Sequence, residues 1–196
     1  MKDIKVLGLD LDGTLVTMKL DFKNIKDEMG IPINGDALSH IQGLPDQEAK
    51  RIAEFLESKE REAAEKAELT AGASELLDYC RMSGIKVVVI TRNSEESTKR
   101  TLEVLGIEVD MVVSREHAEP KPSPKPIELV LQHYNLKPHE MGYAGDYIYD
   151  IQAGNSAGVK TVLITSHEHA EDWAPMADYV AEDLLDLLDY ISGGNR

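Results

Sequence analysis

The sequence predicts an α/β fold, in which a parallel β-sheet is flanked by helices and interrupted by one inserted helical segment. Short runs rich in Val, Ile and Leu alternate along the chain with amphipathic helical patterns, whereas the stretch 17–70 contains helical patterns alone. Strands that alternate with helices form parallel sheets through right-handed crossovers. The 196 residues are enough for one such core that carries a small inserted unit.

Five apolar runs are predicted to be strands, because each is too short for a helix and has the composition of a strand buried on both faces. Between these runs, the spacing of apolar residues predicts three helices, and one of their stripes includes Cys80, which we interpret as a core residue. The predicted strands are 4–9, 85–90, 111–113, 141–144 and 161–164, and the predicted helices are 74–81, 94–105 and 124–134.

The inserted segment is predicted to be a helical cap over residues 17–70, so that the catalytic core consists of 1–16 and 71–196. Within it, helices are expected over 21–29 and 46–68, and no strand is expected. The longer helix has a narrow apolar stripe that includes Ile52, Phe55 and Leu56. Its many charged residues are predicted to face solvent.

Four acidic residues follow two of the predicted strands: Asp10 and Asp12 follow the first, and Asp146 and Asp150 follow the fourth. Open α/β sheets bind ligands at the carboxyl ends of their strands. Carboxylates placed so close together repel each other unless a proton or a cation lies between them. Oxygen ligands suit Mg²⁺, which proteins hold with carboxylates and a substrate phosphate. The sequence therefore predicts a Mg²⁺ site among these four acids.

The other strand ends supply groups that suit an anion. Thr91 follows the second predicted strand and offers a hydroxyl and a backbone N–H, and Arg92 comes next. Lys121 lies in the loop after the third strand, between two prolines that stiffen its backbone. A lysine opposite clustered carboxylates suits phosphate binding and reduces their mutual repulsion.

The charge balance limits the possible partners. The chain has 36 Asp and Glu against 21 Lys and Arg, a formal net charge of -15. Nucleic-acid binding and adhesion to anionic lipid both draw on positive charge, so we expect neither partner. No apolar run is as long as a membrane span requires, and the start of the sequence does not resemble a signal peptide. We therefore expect a cytoplasmic protein.

Taken in order, these residues resemble the four motifs of the haloacid dehalogenase superfamily of aspartyl-phosphate hydrolases. The first motif corresponds to 10–15, the second to Thr91, the third to Lys121, and the fourth to Asp146 and Asp150. The resemblance implies a Rossmann-like parallel sheet, and the position of the insert resembles the helical cap of the first type found in phosphoglycolate phosphatases.

The resemblance also implies a role for each residue. Asp10 would be the nucleophile that becomes an aspartyl-phosphate, and Asp12 would be the general acid and base. The phosphoryl oxygens would be held by Thr91 and Lys121, and Mg²⁺ by the Asp10 carboxylate, the Asp12 carbonyl and Asp146, with Asp150 orienting its waters.

One position departs from the family pattern. Many members have Asn directly after the threonine, whereas this chain has Arg92 followed by Asn93. Arg92 is either a ligand for a carboxylate or phosphate of the substrate, or a surface arginine. The short insert leaves the identity of the substrate open.

We therefore expect a Mg²⁺-dependent phosphatase that acts on a small phosphorylated metabolite, phosphoglycolate or a sugar phosphate among them, as a monomer or homodimer. A phosphomutase is the nearest alternative, because Asp10 and Asp12 would serve both reactions. A receiver-like signalling phosphoacceptor is a third possibility, although receivers carry the acceptor on a middle strand and lack an insert.

Overall fold

The protein is described from a computed structural model, which covers residues 1, 4–17, 22–32 and 35–194. Six parallel strands form the main sheet, in the order β5-β4-β1-β6-β7-β8. These strands are β1 Val6–Leu9, β4 Lys86–Ile90, β5 Met111–Val113, β6 Met141–Gly145, β7 Lys160–Ile164 and β8 Tyr179–Ala181. The predicted α/β class and all five predicted strands are confirmed.

The sequence did not predict β8, and the shortness of the strand explains why. Its three residues are in turn partly buried, exposed and buried, and an acidic residue stands on each side of them, so the run is too short to be distinguished from a loop. Among the described residues the strand lies at the edge of the sheet, where it pairs with β7. A short edge strand needs no continuous apolar sequence, because one side of it has no neighbouring strand.

Helices cover both faces of the sheet. Alternate residues of β1 point to opposite faces, so Leu7 and Leu9 pack against the helices on one face, while Val6 packs against those on the other. Cys80 is fully buried, as predicted. Among the described residues, no helix is long and apolar enough to cross a membrane. The helices are α4 Ala73–Ser83, α5 Glu95–Leu105, α6 Lys125–His133, α7 Ile148–Ala157, α8 Ala170–Trp173 and α9 Leu184–Ser192.

In the part of the insert that the structure describes, three helices lie between the first strand and α4, and they have an apolar cluster of their own that contains Ile52 and Leu56, with Phe55 packed against it. The segment is closed by two short antiparallel strands that the sequence did not predict, because each has only two residues. These elements are β2 Val16–Thr17, α1 Phe22–Glu28, α2 Ala37–Gln42, α3 Asp46–Ala64 and β3 Glu68–Leu69.

The charged face of α3 is only partly exposed to solvent, so this part of the sequence-based interpretation is wrong. Glu60 is 3% exposed, and its Oε1 accepts a hydrogen bond of 2.5 Å from Arg115. Its Oε2 accepts from the backbone N–H of Ser94, the residue that caps α5. Glu57 also pairs with Arg115, at 3.4 Å. The charged face of α3 is therefore one of the contacts between the insert and the core.

We expect Glu60→Gln to destabilise the protein by about 3 kcal/mol, because it leaves the guanidinium of Arg115 without its buried counter-charge. The matched control is Glu62→Gln in the same helix, where the side chain is 64% exposed. That substitution should change the free energy of unfolding by less than about 0.5 kcal/mol. Urea denaturation of both variants measures the difference, and equal losses would show that the pair does not hold α3 to the core.

Candidate active site

Three carboxylates meet at the carboxyl edge of the sheet. Asp10 follows β1, and its backbone N–H extends the ladder by donating to Ala144 of β6 at 2.9 Å. Asp146 directly follows β6, and Asp150 lies in the first turn of α7. Each of the three offers a carboxylate oxygen, and these oxygens lie within 4.8 Å of one another. The sheet brings them together because β1 and β6 are parallel neighbours that end at the same edge.

Lys121 connects these acids through its ammonium group. Its Nζ donates to Asp10 at 2.6 Å and to Asp150 at 2.5 Å. It also contacts the carbonyl oxygen of Ile90 at 2.9 Å and the hydroxyl of Tyr143 at 2.8 Å. Burial alone would lower the pKa of this ammonium, but the neighbouring carboxylates outweigh burial and raise it. Lys121 is therefore a buried and permanently charged cation at this edge.

Tyr143 is a member of the site that the sequence did not reveal. It lies inside β6, where its ring is indistinguishable in sequence from a core side chain. Its hydroxyl donates to the Oδ1 of Asp150 at 2.9 Å. The other oxygen of Asp150 accepts from the backbone N–H of Tyr147 at 3.0 Å. Asp150 is thus held on both oxygens, and its closest cation is Lys121.

Keeping the carboxyl groups of Asp10 and Asp146 ionised costs free energy in this buried position. Burial raises the pKa of Asp10 well above its usual value, although Lys121 opposes the shift. Burial, with the neighbouring charge of Asp150, raises the pKa of Asp146 to about 6. Buried carboxylates with raised pKa values favour a further cation beside them. The set of oxygen donors matches the preference of Mg²⁺, so the residues present fit this metal.

Asp146 is positioned by the turn that follows Asp12. Ser166 donates through its hydroxyl to Asp146 at 3.1 Å and to the carbonyl of Gly13 at 2.9 Å. Gly13 has a φ of +78°, and a Cβ at this position would collide with the Asp146 carboxylate. Glycine is therefore required here both by the backbone conformation and by the closeness of the acid.

Asp12 stands apart from the three clustered carboxylates. Its Oδ2 accepts a 2.7 Å hydrogen bond from the side-chain amide of Asn93. Its Oδ1 is buried and has no hydrogen-bond partner among the residues that the structure describes. Burial raises the pKa of Asp12 to about 7, so both protonation states are populated near neutral pH. Sequence analysis noted Asn93 only as the residue after Arg92, and its contact with Asp12 depends on the fold.

Thr91 is buried at the end of β4, as its position in the sequence suggests. Its backbone N–H donates to the carbonyl of Val113 in β5 at 2.9 Å, so this group is not available to an anion, contrary to expectation. Its hydroxyl oxygen accepts from the backbone N–H of Asn93 at 3.1 Å. The hydroxyl proton is therefore the donor that Thr91 can offer.

Arg92 lies where the core meets the insert. It donates to the backbone carbonyl of Lys121 at 2.9 Å and forms an ion pair with Asp36, which precedes α2. Its guanidinium stacks over the ring of Tyr149, 4.8 Å from the centroid. The alternative of an ordinary surface arginine does not hold, because this side chain is only 22% exposed and has three partners.

Comparison with known proteins agrees with this architecture. The haloacid dehalogenase-like hydrolase family matches residues 9–164. An uncharacterised hydrolase of Saccharomyces cerevisiae is 30% identical, over 100% of this chain and 94% of its own. The pyrophosphatase PpaX of Halalkalibacterium halodurans is 24% identical, over 96% and 97% of the two chains. The crystal structure of a hydrolase from Pseudomonas syringae superposes with a TM-score of 0.80 at 21% identity, over 96% of this chain and 98% of that one.

The fold, the acidic residues at the edge of the sheet and the similarity to known hydrolases together define a hydrolase built on a parallel α/β sheet. The chain belongs to the haloacid dehalogenase-like hydrolase family.

We expect Asp146→Asn to stabilise the metal-free protein at pH 7.5 by about 1–2 kcal/mol, because it removes a carboxylate whose pKa is raised to about 6. Ionisation of a carboxyl with a raised pKa destabilises the folded protein, and this loss develops as pH rises from about 4 to about 6. The stability gained by Asp146→Asn should therefore vanish near pH 4. The measurement is urea denaturation in EDTA at both pH values.

We also expect Mg²⁺ to stabilise the unsubstituted protein by binding to the clustered carboxylates, and the same variant to lose this stabilisation because one of those carboxylates is gone. Thermal denaturation with and without Mg²⁺ measures this difference. An equal rise of Tm in both proteins would place the metal elsewhere.

Proposed function

We propose that this protein is a Mg²⁺-dependent phosphatase that hydrolyses a small phosphomonoester through an aspartyl-phosphate on Asp10. The observation that carries the proposal is the cluster of Asp10, Asp146 and Asp150, whose oxygens lie within 4.8 Å beside the buried ammonium of Lys121. Both a phosphoryl group and a divalent cation suit this combination of charges. The enzyme class is phosphoric monoester hydrolase, which the name of one relative, the N-acetylmuramic acid 6-phosphate phosphatase of Pseudomonas putida, also supports.

The residues that would hold Mg²⁺ are Asp10, Asp146 and the carbonyl of Asp12. When bound there, the metal would neutralise charge between an anionic nucleophile and an anionic phosphate. We assign Asp150 a different main role from the one that the resemblance implies, which is to orient the waters of Mg²⁺. Because its Oδ1 already accepts from Lys121 and from Tyr143, we assign it first to the positioning of Lys121.

In the first step, the Asp10 carboxylate attacks phosphorus and the bond from phosphorus to the leaving oxygen breaks. Lys121 holds that carboxylate through a 2.6 Å hydrogen bond, which fixes its orientation before the substrate arrives. We assign Lys121 and the Thr91 hydroxyl to the oxygens of the transferred phosphoryl group, where fixed donors stabilise charge at no cost of reorganisation.

Asp12 supplies and removes the proton. It protonates the leaving oxygen in the first step, then takes a proton from the water that hydrolyses the aspartyl-phosphate and releases inorganic phosphate. A pKa of about 7 suits both directions near neutral pH. The amide of Asn93 donates to one oxygen of Asp12 and leaves the other, which has no partner among the described residues, to carry the proton.

We further propose that residues 17–70 act as a cap that closes over this edge, on a core of 1–16 and 71–196. The separate apolar cluster of the insert and its contact through Glu60 support this division. Three lysines of the insert are further candidates to contact the leaving group: Lys26 is described, whereas Lys19 and the side chain of Lys23 lie outside the described residues. A cytoplasmic location and a monomeric or homodimeric state stay parts of the proposal.

The two alternatives differ in support. Membership of a hydrolase family argues against a receiver-like phosphoacceptor. A phosphomutase would use the same Asp10 and Asp12, and it is distinguished by its product. A phosphatase releases inorganic phosphate in proportion to substrate consumed, whereas a mutase returns a phosphorylated isomer.

The purified protein should hydrolyse p-nitrophenyl phosphate in the presence of Mg²⁺ and lose this activity in EDTA, because the clustered acids then repel the phosphate. Addition of excess Mg²⁺ to the same sample should restore the rate. Release of p-nitrophenol measures the effect, and full activity in chelator would refute the metal assignment.

Asp10→Asn should abolish turnover and leave no acid-stable phosphate on the protein, because the nucleophile is gone. Asp12→Asn should lower kcat by about 10²–10⁴-fold for alkyl phosphates, and by less for p-nitrophenyl phosphate, whose leaving group hardly needs a proton.

The control for both variants is Asp172→Asn, the same chemical change on a side chain that is 75% exposed. Losses in Asp12→Asn that do not depend on the pKa of the leaving group would remove Asp12 from the acid role.

A further inference from the structure

The pair formed by Arg92 and Asp36 is the feature that the reaction itself does not use. It joins the end of β4 in the core to the N-cap of α2 in the insert. Arg92 is also bound to the carbonyl of Lys121 and stacked on Tyr149, beside the candidate active site. It therefore occupies the space between the phosphate-binding edge and the insert, where the leaving group of a phosphomonoester would extend.

Asp36 is held in this position by contacts of its own. Its Oδ1 accepts from the backbone N–H of Ser39 at 2.9 Å and from the Ser39 hydroxyl at 2.7 Å, while Oδ2 faces Arg92. An N-cap that leaves its helix exposes an unsatisfied backbone N–H. A substrate anion would thus have to compete with a carboxylate that is fixed on Arg92 by the folding of α2.

The other cations at this edge are paired in the same way. Lys121 lies between Asp10 and Asp150, and Arg115 binds the buried Glu60. The positive charges of Arg92, Lys121 and Arg115 are therefore each balanced by a carboxylate of the protein. A leaving group that carries its own negative charge would meet these carboxylates as well as the cations.

Uncharged aromatic rings border the same space. The Tyr149 ring lies under Arg92, and Tyr147, which is 39% exposed, packs edge-on against it with ring centroids 5.1 Å apart. Trp173 continues the row, 4.9 Å from Tyr147. Rings of this kind offer apolar faces to the carbon skeleton of a ligand and a few hydroxyl or N–H groups to its polar atoms.

We infer that the leaving group is an uncharged alcohol, of the polyol or sugar type, and that Asp36 is the specificity-determining residue that excludes anionic leaving groups by neutralising Arg92. The inference rests on the proposed phosphatase function and narrows its substrate class. It favours a sugar phosphate over phosphoglycolate, and it separates the chain from a pyrophosphatase, whose leaving group is an anion.

The test uses two substrates that share one skeleton. 2-Hydroxyethyl phosphate and 2-phosphoglycolate differ only in a hydroxymethyl group in place of a carboxylate. We expect kcat/KM to be at least about tenfold higher for 2-hydroxyethyl phosphate, since the carboxylate would lie against Asp36. Hydrolysis of p-nitrophenyl phosphate by the same preparation tests the proposed function separately.

Asp36→Asn should move this ratio at least about tenfold towards 2-phosphoglycolate, because Asn keeps the N-cap of α2 and frees the charge of Arg92. If this variant does not fold, Asp36→Ser retains a capping oxygen and serves the same purpose. The matched control is Asp46→Asn, an exposed acid in the first turn of α3. Adding Arg92→Gln to Asp36→Asn should remove the gain.

A wild-type preference for 2-phosphoglycolate would overturn the inference and leave the phosphatase function standing. A ratio of the two kcat/KM values that Asp36→Asn leaves unchanged would overturn the inference in the same way. A protein that hydrolyses none of the three phosphate esters would contradict the proposed function and, with it, the inference.

Discussion

The ammonium of Lys121 is the group on which the architecture of the site depends. It contacts Asp10 after β1, Ile90 at the end of β4, Tyr143 in β6 and Asp150 in α7, so four elements of the core converge on one nitrogen atom. Without a cation between them, the neighbouring carboxylates of Asp10 and Asp150 would repel each other strongly. The Lys121 charge therefore stabilises the fold at the same point where we propose that it binds a phosphoryl group.

Sequence reasoning reached the parts of this site that parallel-sheet geometry dictates. Asp10, Asp146 and Lys121 follow strands that their own composition reveals, and strands of one parallel sheet end at one edge. Asn93 and Tyr143 were missed because a hydrogen bond between distant segments leaves no local pattern. Tyr143 in particular looks like any apolar strand residue until the position of Asp150 is known.

The charged helix of the insert shows where such reasoning fails for a physical reason. An acid on a helix with many charges is ordinarily solvated, and nothing near Glu60 in the sequence distinguishes it from its neighbours. Its burial is decided by Arg115, which lies beyond three later strands. The same applies to Asp36, whose local pattern reports an N-cap and gives no sign of Arg92. Contacts between the insert and the core are therefore the least predictable part of this chain.

The strand order also has a consequence for biosynthesis. β1 leaves the ribosome before both of its partners in the sheet, β4 and β6. Leu9 pairs with Val89 of β4 and with Ala144 of β6, so the nascent chain holds an apolar strand whose second edge stays unpaired until β6 has been translated. Long-range pairing of this kind folds slowly and exposes aggregation-prone edges. During synthesis the insert, with its own apolar cluster, can become ordered before the sheet that carries it.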